Sequence, residues 1–498
     1  MMPVAAVHEK PPSETGVGQG RPLFRVFSTE AHTYLYDTAT NQILTIPEDL
    51  ARYLENGEFT AEELAELSAD GHGGVLLPTS ALPLKLWPSL AEVQQAVAHR
   101  CRQVILEVSR DCNMRCRYCV YADRHRGERA GADQTMPLET ALQAVDYLAS
   151  HSADCPRVAV GFFGGEPLLA PELIRQVVAH ARRALRGKQL VFSITTNGTL
   201  LTRELMGFFA ANDFITLVSL DGPREAHDLN RVFAGSGAGS FDVVMARLRE
   251  FKQLHPDYCR ARLRLAMVAM PGTDYVALVE WLRANDLGAT SSSPAVDDAG
   301  VYARAYRERP LTGTDHLRDE YIETACRGRL GERRGDLDFS IHTIIFSPMM
   351  MLLRKRPVPT DPRDRTIRRG MCIPGSERLF VDYAGELFPC EKTDGRRHLS
   401  LGHIRSGVDA RRVYDIIVGF HEFLAHECAA CWAWRLCRVC APSPTVGDGY
   451  DRDTARRMCE AHRGILTDML KMYCTIMERN PAALDCFLED EPGMGETT

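Results

Sequence analysis

No apolar run in these 498 residues approaches the length of a membrane span. The opening stretch, MMPVAAVHEKPPSETGVGQGRP, lacks a cationic segment leading into an apolar core and cleavage site. The expectation is a soluble, cytoplasmic protein without a membrane partner. Excess positive charge is missing too. A net charge of −7 and a pI near 6.2 provide no field that would draw in a nucleic-acid backbone, so nucleic acid is not expected as a partner. With 45% hydrophobic and 25% charged side chains the chain is ordinary globular material, long enough for two or three domains.

Cysteine is plentiful. Sixteen are present, and in a reducing cytosol thiols in ligand-like spacings point to metal rather than to disulfides. Ten fall into two clusters. The other six, Cys101, Cys155, Cys259, Cys326, Cys474 and Cys486, are scattered, and most read as small buried apolar residues.

Residues 1–21, rich in Pro, Gly and Ser, read as a disordered N-terminus. LFRVFS, HTYLYDT and NQILTI are three short strand-like runs, and PEDLARYLENG and TAEELAELSADG have helical periodicity, which makes 22–80 a small module of strands followed by helices. Residues 81–100 serve as a linker. From 101 to 300 strand-like runs (103–109, 157–163, 190–196, 214–220 and 262–270) alternate with amphipathic stretches. Repeated β–α units predict an α/β fold with a parallel sheet and function at the carboxyl ends of its strands. Residues 301–370 form a bridging region whose MMMLL reads as core and whose basic stretch RKRPVPTDPRDRTIRR reads as a solvated connector. A cysteine-rich segment covers 371–462, and a helical, finally acidic tail covers 463–498.

The first cluster is CNMRCRYC, residues 112–119, just after the first strand of the α/β region. A closed structural site wants four protein ligands, whereas Cys112, Cys116 and Cys119 from one loop suit a 4Fe–4S cluster whose remaining iron is open to a small molecule. A zinc site would need a fourth ligand, for which His125 is available. GGEP (164–167), TTNG (195–198) and SLDG (219–222) follow the next three strands in order.

Taken together, these four motifs resemble radical S-adenosylmethionine (SAM) enzymes over residues 103 to about 290. The resemblance implies a partial (β/α)6 TIM-type barrel, SAM chelated by the unique iron, and one-electron cleavage of the sulfonium to a 5′-deoxyadenosyl radical. It also implies cofactor contacts. Tyr118 would meet the adenine, Gly164 and Gly165 would let the backbone approach the ligand, and Glu166 would accept hydrogen bonds from the amino group. Ser219 and Arg231 match positions that hold the ribose and carboxylate. Asn197 and Asp221 fall in the same strand-end motifs, although both sit beside glycine and could equally form turns.

The second cluster starts at Cys372. Twelve residues separate it from Gly385 and four separate Gly385 from Cys390; CAACWAWRLCRVC then supplies Cys428, Cys431, Cys437 and Cys440, with Cys459 last. This is similar to the SPASM extension of radical SAM peptide-modifying enzymes, which carries two auxiliary iron–sulfur clusters and so brings the expected total to three. Only Arg438 and Val439 stand between Cys437 and Cys440, where the family usually has three residues. By resemblance Cys428, Cys431, Cys437 and Cys459 close one cluster. Cys372, Cys390 and Cys440 hold the other, with an open iron or a distant thiol such as Cys326 as the fourth ligand. Taken alone, C-x-x-C…C-x-x-C suits a zinc site equally. Glu391 stands where sulfatase-maturing relatives have a proton-removing Asp; it is the candidate catalytic base, or a carboxylate that never touches substrate.

The amino-terminal module resembles winged-helix precursor-recognition domains, which bind a leader segment as an added strand. The resemblances converge on an oxidoreductase of the peptide-maturase type. It would take hydrogen from a residue of a ribosomal, cysteine-rich precursor peptide and form a cross-link, with a Cys thioether first in order. A one-electron donor such as flavodoxin or ferredoxin would complete the set of partners. Carbon–carbon cross-linking and formylglycine formation on a sulfatase remain as alternatives within the class, and a non-catalytic iron–sulfur binding or electron-transfer protein as one outside it.

Overall fold

The computed structural model describes residues 21–57, 59–60, 75–77, 87–119, 134–287, 289–294, 305, 308–330, 341–358, 372–393 and 395–488. The expected N-terminus, the second amphipathic run of the first module, the linker up to 86, His125 and the basic connector beyond 358 lie outside them.

Three strands, β1 (Phe24–Ser28), β2 (Thr33–Asp37) and β3 (Gln42–Ile46), form an antiparallel meander. Helix Glu48–Asn56 closes it over a small core of Val26, Leu35, Ile46, Ala51 and Leu54. The helix stops at Gly57, whose left-handed φ of 67° lets its N–H turn back to the Leu54 carbonyl.

The main sheet is built on β4 (Gln103–Ser109), β5 (Arg157–Gly164), β6 (Gln189–Thr196), β7 (Ile215–Ser219), β8 (Leu263–Ala269) and β9 (Ala289–Pro294). All five neighbouring pairs are parallel and follow chain order. Helices Leu138–Ser150, Pro171–Ala184, Arg203–Ala211, Phe241–Leu254 and Tyr275–Ala284 provide the crossovers, as parallel pairing requires. β4 is buried at six of its seven positions, the pattern of a strand covered on both faces. The β9 segment, ATSSSP, has no apolar period and is not among the strand-like runs of the sequence; backbone pairing with β8 makes 289–294 a strand regardless. In the bridging region, helices Thr314–Cys326 and Ile341–Arg354 appear, and Met349, Met350 and Leu353 of the latter are buried in the main core.

On the other side of β4 the sheet continues into the cysteine-rich segment. β10 (Leu379–Val381) pairs parallel with β4, and β11 (Glu386–Phe388), β12 (Gly402–His403) and β13 (Gly407–Val408) follow antiparallel. The two cysteine clusters are therefore attached to one ten-stranded sheet. Helix Arg452–Arg479 carries Cys459 near its start and runs across the boundary expected at 462. Of the scattered cysteines, Cys101, Cys155, Cys259 and Cys474 are buried.

Beneath β5 and β6, the Phe214 ring meets Phe162, Phe192, Phe208 and Phe209 at centroid distances of 5.8, 5.2, 5.8 and 4.9 Å. Phe214 is fully buried, so Phe214→Ala should cost about 3–5 kcal/mol from the cavity and lost ring contacts. Chemical denaturation should show this as an earlier midpoint.

Candidate active site

CNMRCRYC leaves β4 as a loop that is tied down on both flanks. On one side its backbone pairs with residues 230–234. Arg115 N–H donates to the Val232 carbonyl (2.8 Å), Arg117 N–H to the Asn230 carbonyl (2.9 Å), and Ala234 N–H to the Asn113 carbonyl (2.9 Å). On the other side lie the ends of β5 and β6. Gly164 has φ of 142°, and a Cβ there would stand 2.1 Å from the Ser109 carbonyl oxygen; at Gly165 it would stand 2.3 Å from that of Asp111. In the structure, then, these glycines are required by the approach of the cysteine loop's own backbone, and Gly165 and Glu166 N–H groups bond the Ser109 and Asp111 carbonyls (2.8 Å each).

Glu166 is fully buried, and its oxygens accept from Leu168 N–H (3.0 Å), the Thr196 hydroxyl (2.6 Å) and Asn197 N–H (2.7 Å). It thereby clamps TTNG against GGEP. Burial, opposed by these three bonds, raises its pKa to about 7. Asn197 passes the order on: its amide donates to Asn113 Oδ1 (2.8 Å) and lies 3.9 Å from the Cys112 sulfur, while its Oδ1 accepts from Thr199. Thr196, Thr199 and Asn113 were missed as site-building residues. Thr196 sat in view inside the TTNG motif.

Beyond the loop, Asp221 and Arg231 form a buried, two-pronged ion pair, Nε to Oδ2 at 2.9 Å and Nη2 to Oδ1 at 3.2 Å. The Tyr118 hydroxyl donates to Asp221, and the Arg231 guanidinium lies 5.3 Å from the Tyr118 ring centre. Asp221 also accepts from Val268 N–H of β8 (3.0 Å). Burial alone would lower the Arg231 pKa, but Asp221, Tyr118 and Cys116 hold it above its ordinary value. Behind the pair, His227 accepts from Asp221 N–H (3.3 Å) and contacts the Ser240 hydroxyl (2.9 Å). Burial, then Arg231, lowers its pKa to about 4. Ser219 ends β7, paired with Ala266 of β8.

Burial pushes the Cys112 thiol up to about 12, with Cys116 and Cys119 adding to the rise, and pushes Cys116 up to about 11, with Cys119 adding and Arg231 opposing. Cys112 and Cys116, desolvated and close to each other and to Cys119, are poor company as bare thiolates and suit a cationic group that draws off their charge.

In the second cluster, protein crowding and then Cys440 push Cys372 up to about 11, although the residue as a whole is exposed. Cys390 goes to about 12 through burial, Glu391, Cys440 and Cys372. The structure thus brings Cys372, Cys390 and Cys440 within electrostatic reach of one another. Cys431 and Cys437 form another such pair, with Arg463 also near Cys431. Cys428 lies on the short helix Ala425–Ala429, its carbonyl accepting from Cys431 N–H (3.2 Å). Cys326 lies elsewhere, beside Arg479 and Glu323. Glu391 pairs with Arg378 at 3.3 Å. Among the described residues no three His, Cys, Asp or Glu side chains converge as ligands of one metal ion do. In a four-iron cluster each thiolate takes a different iron and the sulfurs stand further apart, so the thiol sets fit that group by donor chemistry.

The sequence profile of the Radical SAM superfamily matches residues 106–283, the stretch that spans β4 to the end of the helix after β8. These residues form a radical SAM domain. The chain is 30% identical over 157 residues to the cysteine-type anaerobic sulfatase-maturating enzyme of Clostridium novyi (strain NT), covering 31% of this chain and 41% of that one. It is 28% identical over 160 residues to the radical SAM cyclopropyl synthase TigE of Paramaledivibacter caminithermalis, covering 30% and 33%. The chain thus spans less than half the length of these relatives. A solved structure of anSMEcpe with bound AdoMet and Kp18Cys peptide shares the fold, with a TM-score of 0.54 at 19% identity over 78% of this chain and 99% of that one. Among the described residues no helix is long and apolar enough to cross a membrane.

Two outcomes follow for the radical SAM domain. Replacing Arg231 by Met leaves Asp221 buried without its partner and should cost about 3–5 kcal/mol, whereas adding Asp221→Asn should recover much of the loss in chemical denaturation. His227 has a folded-state pKa of about 4 against an ordinary 6.5, so the unfolded chain binds its proton first as pH falls. Its contribution is present above pH 6.5 and is lost between 6.5 and about 4, by ~3 kcal/mol. In His227→Gln the rise that His227 contributes between about 4 and 6.5 should disappear, leaving the opposite slope that Glu166, raised from an ordinary 4.5 to about 7, gives over the same range.

Proposed function

We propose that this chain is a radical SAM/SPASM enzyme that modifies a peptide or protein substrate, with the sheet from β4 to β9 acting as a partial (β/α)6 barrel. The observation that carries the reading is the shared sheet. β10 lies directly on β4, so the segment bearing Cys372 and Cys390 is fixed to the strand whose end presents Cys112, Cys116 and Cys119. Glu107 reinforces the join from inside β4, pairing with Arg110 (3.2 Å) and accepting from Tyr383 N–H (3.3 Å). When bound, the three clusters and SAM would supply one electron to the sulfonium, a 5′-deoxyadenosyl radical that takes hydrogen from carbon, and an acceptor for the electron released at bond formation.

The chain's own residues do the rest. Cys112, Cys116 and Cys119 would hold the first cluster, on a loop whose position Asp221, Arg231 and residues 230–234 fix before any ligand arrives. Tyr118, Ser219, Asn197 and the GGEP turn line the strand ends where SAM would lie. Cys428, Cys431, Cys437 and Cys459 would hold one auxiliary cluster, and Cys372, Cys390 and Cys440 the other. Glu391, held by Arg378 next to Cys390, would take the proton given up by the substrate.

A Cys thioether in a precursor peptide is the preferred product, formed with the loss of one hydrogen from carbon and one from the thiol. Formylglycine formation is the second reading, favoured by the likeness to a cysteine-type sulfatase-maturating enzyme. The amino-terminal module and Glu391, in place of Asp, weigh against it. Replacing Cys112, Cys116 and Cys119 together by Ala should remove one cluster's iron and sulfide and abolish 5′-deoxyadenosine release; continued release would sink the reading. With a cysteine-rich precursor, mass spectrometry should show two hydrogens lost per cross-link and one thiol fewer to alkylate. An aldehyde trapped by hydrazide on a sulfatase peptide would instead select the second reading.

A further inference from the structure

The five residues between Cys431 and Cys437, Trp432–Leu436, carry no regular secondary structure and take much of their support from the amino-terminal module. Trp434 is buried against Ala39, with Leu23 and Leu77 beside it. Thr38 donates its hydroxyl to the Trp432 carbonyl (2.6 Å), and the Trp432 ring meets Tyr36 edge-on at 5.8 Å. Arg435 is 5% exposed and donates to the carbonyls of Thr38 and Ala39, the latter at 2.8 Å, while lying 4.6 Å from the Trp434 ring centre.

The turn that receives these contacts, Asp37 to Asn41, is itself rigid. Buried Asp37 accepts from Thr40 N–H (2.8 Å), the Thr40 hydroxyl (2.6 Å) and Leu76 N–H (3.2 Å). Asn41, in the left-handed region at φ 58°, accepts from the Tyr36 hydroxyl (2.7 Å). On the far side of the turn, Arg356 donates to the Asn41 carbonyl (3.0 Å).

We propose that the β2–β3 turn is a positioning element for the group held by Cys428, Cys431, Cys437 and Cys459, and that occupancy of those thiols and order in the amino-terminal module are linked. The proposal rests on the reading that these four cysteines bind a metal group. A five-residue loop with a ligand at each end is costly to hold in one conformation, and the turn fixes it in advance through three hydrogen bonds and by burying the loop's own Trp434 indole. Linkage is reciprocal. A brace that favours the ligating conformation is stabilised in turn when the thiols are filled. The amino-terminal module, which resembles leader-recognition domains, would thereby be connected to a cysteine centre rather than tethered loosely beside it.

The test compares full-length protein reconstituted anaerobically with iron and sulfide against the same protein stripped by chelator, following backbone deuterium exchange. Exchange in Thr33–Asp37 and Gln42–Ile46 should slow about tenfold on loading, while Arg157–Gly164 and Gln189–Thr196 change little. Arg435→Ala should abolish the difference and speed chelator removal of iron, and Arg435→Lys, whose ammonium can still reach one carbonyl, should restore part of both. Equal exchange in the loaded and stripped wild type overturns the linkage, as does a slowing of the same size across β5 and β6. Zinc found in place of iron, with the exchange difference intact, would defeat the auxiliary-cluster reading and leave the linkage standing.

Discussion

The ion pair between Asp221 and Arg231 is the contact on which the geometry of the first cysteine loop rests. Both groups are withdrawn from water, so neither is tolerable without the other, and their two-pronged bonding fixes direction as well as distance. Through Tyr118 the pair reaches into CNMRCRYC; through Val268 it grips β8; through the 230–234 backbone it frames the loop from outside. A loop that carries three neighbouring cysteines is held in this way by charge set elsewhere in the fold. Glu166 does the same from the opposite flank with a carboxyl group that, among the described residues, meets three neutral donors rather than a cation.

The same economy operates at the scale of domains. β10 needs an edge and β4 offers one, so a short strand of three residues places a whole cysteine-rich segment against the radical SAM domain. The amino-terminal module then closes on that segment through Trp434 and Arg435. Each joint is small. Their succession makes the amino-terminal meander and the cysteine-rich segment part of one packed body, in which a change at the first meander has a physical route to the second set of thiols.

Much of this was legible in the sequence, for identifiable reasons. β4 to β8 are apolar runs bounded by turn residues, and parallel burial leaves that trace in any text; the motifs at their ends fell where strand-end chemistry belongs. β9 was not legible because ATSSSP owes its strand to the exposed edge of β8 and to nothing in its own composition. Cys112, Cys116 and Cys119 stood out by spacing, whereas the hydrogen bonds by which Glu166 joins TTNG to GGEP, and the close backbone approach at Gly164 and Gly165, leave no mark in the sequence. Spacing says which residues stand at a strand end, but only the fold says whether they face a ligand or a neighbouring backbone. Tyr36, Thr38 and Arg435 carried no motif at all, and nearly four hundred residues separate the partners.

Helix Arg452–Arg479 has Cys459 in its second turn and Glu478 near its end, where the Glu478 carboxylate accepts from the Thr29 and Tyr34 hydroxyls of the meander. The two points are about 28 Å apart along the axis at 1.5 Å per residue. A straight helix fixes more than length. Inserting or deleting one residue between them would swing Glu478 by about 100° around the axis relative to Cys459, so with Cys459 kept at its bearing Glu478 would leave the Thr29 and Tyr34 hydroxyls. The stretch from 460 to 477 can thus vary freely in side chain on its outer face, but its residue count is a phase angle: the chain can lengthen here only by steps that bring the helix back to nearly the same bearing.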